Sequence, residues 1–112
     1  MNGRTPTKDE ALYMDRCKQI GCVCCIIKGR TAPFEVPMEY VGNHHLDGQR
    51  KKDAHFKSIG ICDEDHQNGP YAVHINKKVF EDEYLPSYDL LKVQYKLIEK
   101  AFGEDAVPNV EI

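Results

Sequence analysis

The feature that most constrains this chain is a pair of short spacings. Cys22-Val23-Cys24-Cys25 puts two thiols three positions apart, and Cys62-Asp63-Glu64-Asp65 repeats the spacing with a carboxylate in the second slot. Tetrahedral zinc takes Cys, His or carboxylate ligands, and a C-x-x-C knuckle joined to a second pair of the same spacing is a common closed structural site. A chain of 112 residues buries a smaller fraction of its surface than a larger one, so such a staple would serve it. Cys22, Cys25 and Cys62 are therefore the candidate thiolate ligands of a structural Zn²⁺. The fourth place is open between Asp65, which has the spacing, and His66, which is the softer donor. Cys17 and Cys24 fall outside the pattern and read as small buried hydrophobes.

An odd count of five cysteines suits a reducing compartment better than a disulfide framework. The polar stretch 1–9 lacks the apolar core of a secretion signal, and the longest apolar run, 23–27, is too short for a bilayer, so a cytoplasmic, membrane-free single domain over 1–112 is expected. The formal charge of −3 argues against a strong nonspecific grip on nucleic acid. From 79 onward, however, eight acids face three lysines, a local balance of −5 that leaves +2 for the part before it. That mildly basic part is able to bind DNA weakly and with marked salt sensitivity.

The order of elements follows from caps and periodicity. Thr7-Lys8-Asp9-Glu10 is a capping box, and Ala11, Leu12, Met14, Cys17 and Ile20 continue a helix to Gly21. Gly29, Pro33 and Pro37 make 28–37 a loop. Strands are predicted over 39–46 and 54–62, joined through the turn Asp47-Gly48 and a basic loop bearing Arg50, Lys51 and Lys52. Asp63-Glu64-Asp65 suits the start of a short helix through His66, stopped by Gly69-Pro70. A second short helix is read over 75–84, with Val79, Phe80 and Tyr84 on one face. A last one is capped by Ser87, carries Leu90, Leu91, Tyr95, Leu97, Ile98 and Phe102 at helical spacing, and ends at Gly103. Residues 104–112 read as a frayed end.

All five histidines lie between 44 and 74, at 44, 45, 55, 66 and 74. Neighbours on a regular strand point to opposite faces, so His44 and His45 converge on one site only where the strand is distorted. His66 and His74, on either side of the Gly-Pro break, can close on one point. Imidazoles around a divalent cation, with one left free to take a proton from water, are the minimum for metal-assisted phosphodiester hydrolysis. An ordinary imidazole pKa near 6.5 suits the free one.

The order Gly21-Cys22-x-x-Cys25, His44-His45-Leu46, His55-Phe56, Ile61-Cys62-x-x-Asp65-His66 and Val73-His74, continued by Phe80, Tyr84 and Leu90-Leu91, resembles the phage Ref (recombination enhancement function) family of HNH endonucleases. The resemblance covers roughly 12–98. It implies an α+β, ββα-metal fold with a zinc knuckle and flanking helices. It also implies a metal-dependent DNA endonuclease, phage- or prophage-encoded, working in the bacterial cytoplasm.

Carried over by position, His45 is the general base and His55 helps orient the base or the phosphate. His44, His66 and His74 are ligands of a catalytic Mg²⁺, Mn²⁺ or Zn²⁺, and the structural zinc is held by Cys22, Cys25, Cys62 and Asp65, where the family usually has His. Arg50, Lys51 and Lys52 are candidate contacts to the DNA backbone, although three consecutive charges also suit a solvated turn. Some family members act on DNA held in a RecA filament, which would explain how an acidic nuclease finds its substrate. The competing reading is a non-catalytic zinc-knuckle module that binds DNA or protein, with the histidines serving structure. A DNA-mimicking adaptor is a third, weakened because the C-terminal acids are interleaved with apolar helix positions.

Overall fold

The computed structural model describes residues 5–46, 48, 53–62, 66, 69–70 and 72–110. Among them are four α-helices, α1 (Lys8–Ile20), α2 (Val23–Ile27), α3 (Lys77–Glu83) and α4 (Ser87–Phe102), and one antiparallel hairpin of β1 (Val41–His45) and β2 (Ser58–Cys62). The architecture is the small mixture of helices and sheet that the sequence predicts.

Helix α1 starts on its capping box: Glu10 N–H donates to Thr7 Oγ1 at 3.2 Å, and Thr7 N–H donates to Glu10 Oε1 at 2.8 Å. Caps of this kind stabilise a helix by about 1 kcal/mol. Tyr13, Cys17 and Ile20, one face at helical spacing, are buried, and Gly21 ends the helix at φ +111°. Helix α2 was not anticipated, because five apolar residues are too few to show a helical period.

The hairpin is shorter than predicted at both N-terminal ends, where 38–40 and 54–56 wind into 3-10 turns. His55 therefore sits in a turn that follows Asp53 in the left-handed region at φ +62°, not on the returning strand. Pairing runs unbroken from Val41↔Cys62 to His45↔Ser58. Strand β2 lies so close to α1 that a Cβ on Gly60 would stand 2.8 Å from the Cys17 carbonyl oxygen and 2.9 Å from that of Gly21. Only glycine permits that approach.

Helix α4 buries Leu90, Leu91, Tyr95 and Ile98, as its period predicts, and also Gln94. The Gln94 amide satisfies three buried partners: Oε1 accepts from Gly60 N–H at 2.7 Å, while Nε2 donates to Tyr13 Oη at 2.7 Å and to the Ser58 carbonyl at 2.9 Å. A satisfied polar network of this kind fixes the sheet's position between two helices.

Ser87 is not the cap of α4. It is the first helical residue, after Pro86, and its N–H and hydroxyl both donate to Glu81 Oε2 at 2.7 Å. Those bonds hold the Glu81 carboxyl below its ordinary pKa, so a carboxylate from α3 does the capping. Helix α3 is capped by Asn76 and buries Phe80, with Tyr84 buried at its end, but Val79 faces out. The end read as frayed is packed: 104–106 form a 3-10 turn, and Ala106, Val107 and Val110 rest on the core.

Candidate metal and nuclease site

Strand alternation divides the chemistry of β1. Gly42 and His44 face one side, where a Cβ on Gly42 would stand 3.7 Å from His66 Nδ1 and the His44 ring lies 5.2 Å from His66 and 5.1 Å from His74 between centroids. Asn43 and His45 face the other: Asn43 Nδ2 donates to the Met14 carbonyl at 3.3 Å, and His45 Nε2 lies 2.9 Å from His55 Nδ1. The strand is regular, so the two adjacent histidines diverge.

Ring nitrogens of His44, His66 and His74 all lie within 4.8 Å of one another, a group able to hold a metal ion. His66 Nε2 and His74 Nε2 are 2.8 Å apart, and His74 N–H donates to the His66 carbonyl at 3.1 Å. Burial, with His66 and His74 beside it, pulls His44 down to about pKa 4. It is thus neutral at pH 7 and offers the lone pair a cation requires.

His55 is 2% exposed and packs its ring edge-on to His45 at 5.0 Å between centroids. Burial first, and the nearby His55 second, holds His45 below its ordinary pKa. A neutral imidazole, fixed through one nitrogen by a buried partner, is suited to accept a proton at the other.

The thiols of Cys22, Cys25 and Cys62 form a second group within 4.8 Å, with Cys25 Sγ and Cys62 Sγ 4.0 Å apart. Sulfurs about 2.3 Å from a tetrahedral zinc stand roughly 3.8 Å from each other, so the donor set fits. The Cys22 thiol is held well above its ordinary pKa by its hydrogen bond with Cys24 and by burial, a penalty on ionisation that a cation in the cluster would reverse. Cys17 and Cys24 are buried outside it, and burial pushes Cys17 up to about 12, as for an inert core thiol.

Asp65, Arg50, Lys51 and Lys52 lie outside the described residues. Sequence reading passed over Arg30, whose Nη1 donates to Tyr84 Oη at 3.2 Å and points to Cys25 Sγ at 3.8 Å. An arginine in a loop carries no pattern that marks such a contact across the fold. No helix among the described residues is long and apolar enough to cross a membrane.

A small α+β domain with one three-thiol and one three-imidazole group has the makings of a metal-bearing protein. Residues 6–99 match the family described as recombination enhancement, RecA-dependent nuclease, and the chain belongs to that family. No curated protein matches the chain.

Proposed function

We propose that the chain is a metal-dependent DNA endonuclease of the HNH type that acts on DNA held by RecA. The observation that carries this reading is the arrangement of the histidines in a nuclease family: three gathered as a cation site on one face of β1, and His45 paired with His55 on the other. His45 is yet near enough to depress the pKa of His44, so that one phosphate at the edge of the strand can meet both. Two strands followed by His66 support a ββα-metal reading. A divalent cation held by His44, His66 and His74 would neutralise charge on the phosphate and on the leaving oxygen.

His45 does the proton work. With its Nε2–H turned to His55 Nδ1, its Nδ1 lone pair takes a proton from water. The water oxygen then bonds to phosphorus as the bond to the 3′ oxygen breaks, and that oxygen takes a proton from solvent. His55 is a positioning residue that sets the His45 ring and its tautomer. Cys22, Cys25 and Cys62 hold the structural zinc with Asp65 as fourth ligand, since His66 stands with His44 and His74. Arg50, Lys51 and Lys52 hold the DNA backbone.

The test is cleavage of single- and double-stranded DNA with Mg²⁺ or Mn²⁺, with and without RecA and ATP. We expect cutting that needs the metal, accelerates with RecA and collapses as salt rises. Equal rates with and without RecA would remove the partner. A zinc-loaded protein that never cuts would be a binding module instead.

A further inference from the structure

We infer that the cleft beside His66 is a nucleobase subsite, in which Tyr40 stacks on one base of the substrate strand and Glu39 accepts a hydrogen bond from its exocyclic amine. The inference rests on the nuclease reading above and names what part of the DNA that site grips.

The cleft has a volume of about 550 Å³, and its lining includes Glu39, Tyr40, Gly42, Ile61, Cys62 and His66. That is within the range of small-ligand sites, roughly 300–1,000 Å³. His66 belongs both to this cleft and to the three-imidazole group, so a strand whose phosphate sits at the imidazoles has a neighbouring base within reach of the cleft. Gly42 presents no side chain on that face of β1, which keeps the floor open.

Tyr40 is 63% exposed, a large aromatic surface left in water at the edge of a candidate active site. Its backbone is fixed nonetheless: Tyr40 N–H donates to the Pro37 carbonyl at 3.0 Å and closes the 3-10 turn that leads into β1. A ring on a fixed backbone loses little further freedom on stacking, and aromatic–base stacking works for any base.

Charge decides between base and phosphate. The described lining contains no lysine or arginine, and it contains the carboxylate of Glu39. A carboxylate accepts from an amine edge and not from a phosphate oxygen, the pairing by which acidic side chains read cytosine N4.

The experiment uses the full, zinc-loaded chain and short single-stranded oligonucleotides carrying the fluorescent base 2-aminopurine at successive positions, with no Mg²⁺ or Mn²⁺ added during binding to prevent cutting. The same sequences are then cleaved with Mn²⁺. Wild type and Tyr40→Phe should quench one position strongly. Tyr40→Ala should lose that quenching and bind roughly tenfold more weakly. Glu39→Gln should keep the quenching and lose the preference for an amine-bearing base over thymine at that position. Binding, quenching and cutting by Tyr40→Ala equal to wild type would overturn the subsite while leaving the nuclease intact. Wild type that neither binds nor cuts would overturn both.

Discussion

His44 and His45 are neighbours whose partners differ because a pleated strand sends them apart, His44 to His66 and His74, His45 to His55. The His45–His55 contact makes a specific demand. His55→Gln, which keeps an acceptor near His45 Nε2, should retain more activity than His55→Ala, and the loss should fall on kcat with KM little changed, by about tenfold for an orienting partner. Equal activity of both variants and wild type would remove His55 from the mechanism. Arg30 makes a second demand. Its guanidinium lies 3.8 Å from Cys25 Sγ, a position from which it would offset the negative charge of a thiolate-bound zinc. Arg30→Ala should release zinc to a chelator roughly tenfold faster, with Arg30→Lys in between. Unchanged release would confine Arg30 to its contact with Tyr84.

At the scale of elements, the hairpin is positioned by what α1 and α4 press against it. Gly60→Ala would force a methyl into the carbonyls of Cys17 and Gly21, and overpacking of that kind costs about 1–3 kcal/mol. A urea melt of Gly60→Ala with an unchanged midpoint would contradict the packing described. Helix α1, helix α4 and the existence of the hairpin were legible because caps and apolar periods are written locally. Helix α2 was not, since a run of five shows no period, and neither was the cap of α4, since Glu81 reaches Ser87 from another helix. The cysteine and histidine groups stood out by residue type and spacing. Gln94, Arg30 and Tyr40 did not, because their roles depend on partners brought together only by the fold: Gly60 for Gln94, Tyr84 and Cys25 for Arg30, and the His66 cleft for Tyr40.

For the molecule as a whole, a metal on the thiol group would tie Cys22, just before α2, and Cys25, within it, to the far end of β2, with Cys25 and Cys62 37 positions apart. A cross-link closing a loop of that size stabilises the fold by about 3–4 kcal/mol, and its loss should lower Tm by roughly 10–20 °C in a domain of this size. Removing tightly held zinc with a chelator should therefore lower Tm by that order, and Cys62→Ser should do the same without chelator. A Tm that does not move would mean the thiols are only core. The central claim is that this small fold cleaves DNA with His45 as its base, and the most direct measurement is the single-turnover cleavage rate of His45→Ala against wild type at saturating Mn²⁺, both confirmed folded and zinc-loaded. The account predicts a rate lower by about 10²–10⁴-fold with DNA binding kept; a His45→Ala protein that cuts at the wild-type rate would contradict it.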